Sequence, residues 1–295
     1  MDVFRTPDDQ FTNLPDFPWE PKYHEWNGLR LAYIDEGEGQ PVMLFHGEPS
    51  WSFLYRKIIR VLLEKGYRCI AADLPGFGRS DKPTDIGWYT YDRHTAAAAS
   101  IVEALDLQDA VFVVQDWGGP VGLRIGTLEA PQRVSRFVAM DTGLFTGRQH
   151  MSEGWHAFRD FVERTEDLPV GMLVKNACAT DVSDEVIAAY EAPFPTVESK
   201  AGARAFPLML PLTPDDPGAA EGQAVAEALG DDKRPALLMW GDSDPALPLD
   251  PVGRNVQALF PTAEALTVIH DGGHFLQEDQ GHEIGALIAD WLAHT

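Results

Sequence analysis

Cysteine is nearly absent from this chain: among 295 residues only Cys69 and Cys178 carry a thiol. Both stand among apolar or small neighbours, so reduced core residues are expected, and neither has the spacing of a metal-ligand set. Basic residues are scarce as well. Lys and Arg number 23 against 46 Asp and Glu, a formal charge of −23. That balance argues against nucleic acid and anionic membrane surfaces as partners, because phosphate binding needs clustered Lys and Arg. No apolar run approaches membrane-spanning length. The start, Met1-Asp2-Val3-Phe4-Arg5-Thr6-Pro7, lacks a basic segment followed by an apolar one, so no signal peptide and a cytoplasmic location are expected. Internal repeats and low-complexity tracts are also missing. What remains is an acidic chain with 44% hydrophobic residues, ordinary for a packed protein and long enough for one large domain or a core with an insertion.

Strand patterns alternate with helical ones through the first half. Residues 1–27, rich in Pro, Asp and aromatics, are expected to wrap the surface. Strands are expected over 29–34, 41–45, 67–72, 111–114 and 134–140, and helices over 53–65 and 94–105. After Asp141 the texture changes to helical patches and prolines without a buried strand. Strand patterns resume at 235–240 and 265–270, and an amphipathic helix covers 281–293. The order implies a mostly parallel sheet flanked by helices, with residues 1–141 and 233–295 forming the core and 142–232 a helical cap over the carboxyl edge. The last strands need the first ones to pair with, which disfavours two independent domains.

The most informative stretch is Val111-Phe112-Val113-Val114-Gln115-Asp116-Trp117-Gly118-Gly119. It reads as a buried strand, a tight turn and the start of a helix, with Asp116 at the tip. Hydrolases that place a serine on such a turn push the nucleophile into the cleft. On this stretch alone Asp116 is equally a helix cap. Three other loops follow strand patterns and fall on the same edge of a parallel sheet, around Glu48, Asp244 and His274. Nucleophile, acid, histidine is the chain order this architecture uses for a triad. His274, with a free pKa of ~6.5, suits a general base acting on water. Asp244 would hold the imidazole ring, with Asp242 a rival in Gly241-Asp242-Ser243-Asp244. Backbone N–H groups of Glu48 and Trp117 would form an oxyanion hole, and the Trp117 indole, a donor without an acceptor, suits a departing anion.

These residues resemble the haloalkane dehalogenases of the α/β-hydrolase superfamily nearly end to end. The most specific pieces are His46-Gly47-Glu48-Pro49-Ser50-Trp51, Gly76-Phe77-Gly78-Arg79-Ser80-Asp81 and Gln115-Asp116-Trp117-Gly118, together with Gly273-His274-Phe275-Leu276-Gln277-Glu278. The resemblance is closest to the subgroup whose acid follows the strand after the cap, which favours Asp244 over Asp242. It implies attack by Asp116 on the halogen-bearing carbon, an alkyl ester, and ester hydrolysis by water that His274 activates. A carboxylate, with a free pKa of ~3.9, needs no base to activate it for the first step. The implied substrate is a small uncharged haloalkane, with water as co-substrate and halide as product. No cofactor or metal is expected, and the chain is expected to be a monomer. Halide binding falls to Trp117 and a cap residue. Residues 142–232 contain a single tryptophan, Trp155, which is taken as the second donor; Phe158, one helical turn on, is its rival.

Three rivals share features of this pattern. An epoxide hydrolase needs two cap tyrosines, and the insertion holds only Tyr190. A fluoroacetate-type dehalogenase needs arginines after the nucleophile, where only Arg124 is near. A non-catalytic binding module would usually have lost a triad member, and none is missing.

Overall fold

The computed structural model of the chain describes residues 2–295. Its strands are β1 (Val3–Phe4), β2 (Lys22–Trp26), β3 (Leu29–Glu36), β4 (Pro41–Phe45) and β5 (Arg68–Ala72), then β6 (Lys82–Pro83), β7 (Ala110–Asp116), β8 (Val134–Thr142), β9 (Ala236–Gly241) and β10 (Thr267–Ile269). Eight of them form one sheet in the order β10-β9-β8-β7-β4-β5-β3-β2. From β10 to β5 the neighbours are parallel, and β3 and β2 close one edge antiparallel. The central strand β7 is buried from Ala110 to Gln115, as a parallel strand covered on both faces must be.

Helices α1 (Arg56–Glu64), α2 (Tyr91–Ala104) and α3 (Gly118–Arg124) connect the early strands. Between β8 and β9 the described residues contain no strand. They run instead through α4 (Glu153–Arg164), α5 (Val170–Ala177), α6 (Asp184–Glu191), α7 (Ala201–Met209) and α8 (Ala219–Asp231). Short polar residues start several of these helices: the side chains of Ser152 and Ser183 accept from Trp155 N–H and Val186 N–H. After β9 come α9 (Arg254–Gln257) and, after β10, α10 (Leu276–His294), which packs on α1. Ile58, Ile59 and Leu62 of α1 and Ile284 and Ile288 of α10 are fully buried, each contributing about 1.5–3 kcal/mol.

The chain passes from β4 to β5 on one side and then crosses to β7 on the other. This makes the carboxyl ends of β4 and β7 the switch point of the sheet, where open α/β folds form their crevice.

Two expectations need correction. The first 27 residues do more than wrap the surface, because β2 extends the main sheet and β1 pairs with β6. β2 is an edge strand whose side chains are exposed or half-buried, so it lacks an apolar pattern; the sign of it was Asn27-Gly28, at φ 50° and 80°, a two-residue hairpin turn. Cys69 is buried, but Cys178 is only half-buried, just beyond α5. Cys178 therefore packs against the rim of the core, at the seam between α5 and the loop before α10.

Candidate active site

β7 delivers Asp116 to the edge of the sheet with φ at 49°, a left-handed conformation that a non-glycine residue adopts at a cost of about 1–3 kcal/mol. The surroundings hold it there. Thr142 Oγ1 donates to the Asp116 carbonyl at 2.6 Å, and α3 begins at Gly118, where a Cβ would overlap the Phe45 carbonyl. Only a glycine lets the turn sit this close to β4.

The turn after β4 meets the turn after β7. Glu48 N–H donates to Asp116 Oδ1 at 2.6 Å, and Gly47 lies so near that a Cβ there would overlap both the Asp116 carboxylate and the Trp117 amide nitrogen. His46 braces this turn from behind. Its Nε2 accepts from Leu74 N–H at 3.0 Å, so its Nδ1 carries the proton toward the Gly47 carbonyl, also at 3.0 Å. Burial lowers its pKa and keeps it neutral. It supports the loop and does not reach the cavity.

On the other side of Asp116 lies His274. Its Nε2 is 3.4 Å from Asp116 Oδ2, and its Nδ1 is 2.9 Å from Asp244 Oδ2. Asp244 Oδ1 accepts the N–H groups of Ala246 and Leu247 at 2.7 and 2.9 Å, fixing the carboxylate that orients the ring. Asp242, the rival acid, turns away and pairs with exposed His270 at 3.0 Å. Burial by itself would lower the pKa of His274, but Asp244 and Asp116 outweigh it and hold the imidazole well above its ordinary value. The loop is anchored by its backbone: His274 N–H donates to the Ala177 carbonyl at 2.8 Å, and Gln115 Nε2 donates to the His274 carbonyl at 3.0 Å.

A cavity of about 400 Å³ opens over these groups. Its wall includes Glu48, Asp116, Trp117, His274 and Phe275 from the sheet edge, and Trp155, Phe158, Leu173, Pro207 and Leu210 from the helical segment. Trp155 and Phe158 reach it from one face of α4, so both candidates for the second halide contact border the space above Asp116. Trp117 is held in an aromatic sandwich, with Phe206 stacked at 5.1 Å and Phe145 tilted at 5.4 Å. Tyr190 is not on this wall. Its hydroxyl donates to Glu278, which is also paired with Arg56, so the single tyrosine of the segment is committed elsewhere.

The alpha/beta hydrolase fold family matches residues 40–180. The chain is 42% identical to a haloalkane dehalogenase of Psychrobacter cryohalolentis, over 99% of this chain and 98% of that one. It is also 42% identical to one of Mycobacterium marinum, over 99% and 100%. The chain belongs to the haloalkane dehalogenases. Among solved structures, the tetrameric haloalkane dehalogenase of Paraglaciecola agarilytica superposes with a TM-score of 0.92 at 34% identity, over 97% of each chain. The enzyme therefore hydrolyses carbon–halogen bonds of haloalkanes on an α/β-hydrolase fold.

A dehalogenase pocket has to be dry, because halide is a weak acceptor whose donors count for more away from water. The wall described here is largely apolar, and Trp117 is only 5% exposed. Two polar residues of the site carried no assignment in the sequence. Gln115, inside the Gln-Asp-Trp-Gly motif, lies 3.3 Å from His274 Nε2 as well as bonding its carbonyl. Asp141, at the end of β8 with φ 31°, is buried beside Asp244 and accepts Gly241 N–H at 3.0 Å. Burial first, and the Asp244 charge second, hold its carboxyl well above the usual range. Glu48 behaves alike: burial first, then Asp116, raise its pKa, and neither of its carboxyl oxygens has a hydrogen-bond partner. Its position after His-Gly marked it as a backbone donor; nothing in the sequence marked its side chain as neutral.

Proposed function

We propose that this enzyme works in two covalent steps carried by Asp116, His274 and Asp244. The observation that carries the reading is the continuous chain Asp244–His274–Asp116, at 2.9 and 3.4 Å, ending on a carboxylate that one oxyanion donor already touches. In the first step Asp116 Oδ2 attacks the carbon in line with its halogen. The carbon–oxygen bond forms as the carbon–halogen bond breaks, and the halide departs toward the Trp117 indole N–H. Oδ1 becomes the ester carbonyl oxygen, already bonded to Glu48 N–H.

In the second step His274 takes a proton from water as its oxygen adds to the ester carbon. Charge then grows on Oδ1, between the Glu48 and Trp117 N–H groups; such preorganised donors are typically worth about 2.7–4 kcal/mol each. Collapse of the adduct expels the alkoxide, which takes the proton held by His274 and leaves as the alcohol, while the second water proton is released as the Asp116 carboxylate re-forms. The net change is haloalkane plus water to alcohol, halide and a proton. Asp244 keeps Nδ1 protonated and so leaves Nε2 free as the base.

The helical segment 142–232 serves as the cap, with Trp155 donating the second hydrogen bond to the halide. We read the active form as a cytoplasmic monomer without cofactor or metal. Sedimentation distinguishes this from a tetramer such as the Paraglaciecola relative forms.

Incubation with 1-bromobutane or 1,2-dibromoethane should release bromide, and Asp116→Ala should abolish it. A single turnover in ¹⁸O-water should place the label in the Asp116 carboxylate. Label appearing only in the alcohol would mean direct attack by water and would exclude the ester.

A further inference from the structure

The loop that carries His274 is tied to the helical segment by one carboxylate outside the cavity. Asp279, in the first turn of α10, accepts Gly273 N–H at 2.8 Å and Ala179 N–H at 2.9 Å through Oδ2. Its Oδ1 accepts Thr180 N–H at 2.9 Å and the Thr180 hydroxyl at 2.5 Å. The two backbones touch here as well. His274 N–H bonds the Ala177 carbonyl, and a Cβ on Gly273 would overlap the 177–179 backbone. The backbone leaves helical geometry at Gln280, so the turn bearing Asp279 follows the His274 loop and not the axis of α10. The other end of the tie is a wall of the cavity, since Leu173, Asn176 and Ala177 of α5 line it.

We infer that Asp279 is a positioning residue for ester hydrolysis: by fastening the Gly273–His274 backbone to residues 179–180, its carboxylate sets where His274 Nε2 stands above Asp116. The inference rests on the two-step reading above. Halide release in the first step uses Asp116 and Trp117 and makes no demand on the His274 ring as a base. Loss of the tie should therefore slow the second step selectively. A displacement near 1 Å at a reacting group costs up to about 10²-fold.

The test compares Asp279→Ala, Asp279→Asn and Thr180→Val with the parent enzyme in rapid-quench turnovers of 1-bromobutane, with intact-protein mass measured alongside. The expected result for Asp279→Ala is a bromide burst equal to the enzyme present. Hydrolysis should then be about 10- to 100-fold slower, with the butyl adduct accumulating on the protein. Asp279→Asn and Thr180→Val, which remove part of the tie, should fall between Asp279→Ala and the parent. If Asp279→Ala does not fold, these two variants decide the matter by the same comparison. A merely structural role would reduce burst and hydrolysis together, and that result, or unchanged hydrolysis, overturns the inference. A His274→Gln control separates the two failures. No adduct in that control sinks the two-step reading itself, whereas an adduct there and none in the Asp279 and Thr180 variants sinks only the role of Asp279.

Discussion

Replacing Glu48 by Gln tests whether a carboxylic acid sits uncharged beside the nucleophile. Glu48 is 6% exposed, both its oxygens lack partners, and the Asp116 carboxylate is its charged neighbour. Burial and then Asp116 push its pKa well above the ordinary value. In the unfolded chain the same group releases its proton near pH 4.3. Between that point and its folded value, the folded protein holds one proton more than the unfolded one. Unfolding free energy therefore falls with rising pH, by about 1.4 kcal/mol for each unit in that window. Gln is close to isosteric and has no proton to lose, so Glu48→Gln should escape this decline. Denaturant unfolding of both proteins from pH 5 to 8 should show the variant gaining on the parent with rising pH, at a slope of up to about 1.4 kcal/mol per unit. The gain should level off once folded Glu48 ionises. The Glu48 N–H survives the change, so bromide release should fall by no more than severalfold. A stability difference that stays constant across the range would mean that Glu48 ionises in the folded protein as it does in water, and the account of a neutral group would be wrong.

Two further outcomes follow from the site. Conversion of Asp116 to an ester removes one of the charges that raise the pKa of His274. The apparent pKa governing ester hydrolysis should then lie below that of His274 in the free enzyme, read by NMR titration; equal values would refute the coupling. Hydrolysis should fail on the acid side of this pKa, where His274 holds its proton and cannot serve as base. Trp155→Phe removes an N–H from the cavity wall, and loss of a hydrogen bond to a charged acceptor costs about 1.5–3 kcal/mol, or about 10- to 150-fold in halide affinity. Bromide quenching of indole fluorescence measures it, and unchanged affinity would transfer the contact to Phe158.

The parts of this enzyme that were legible in its sequence are those governed by one-dimensional patterns. A fully buried strand must be apolar along its length, so β4, β7 and β9 were visible, and the loops that follow them delivered Glu48, Asp116 and Asp244. The helical stretch after Asp141 was visible because it lacks that pattern. What stayed hidden depends on partners distant in the chain. β2 is polar because it is an edge, and only its Asn27-Gly28 turn betrays it. Asp279 drew no assignment from the sequence, because its meaning comes from residues 179–180, about a hundred positions away, which face it. The protonation of Glu48 and Asp141 follows from burial, and no local pattern distinguishes a buried carboxyl at a strand end from an exposed one.

These protonation states govern the order of the two proposed steps. Four carboxyl groups gather at this sheet edge, Glu48 and Asp116 on the cavity wall and Asp141 and Asp244 buried behind it, and four charges so close would repel one another and draw in water. Burial holds Glu48 and Asp141 in the neutral form well above the usual range. The attraction that raises His274 then comes from Asp244 on one ring nitrogen and Asp116 on the other. While Asp116 is free, its charge adds to that of Asp244 in favouring the protonated imidazole, a poor base for water. On the two-step reading proposed above, alkylation removes the charge of Asp116 and leaves only Asp244 to raise the ring, so the proton departs more readily and Nε2 becomes available. In that reading the base is released by the very step that creates the ester it must hydrolyse, and the raised pKa values of Glu48 and Asp141 leave Asp116 in command of that change.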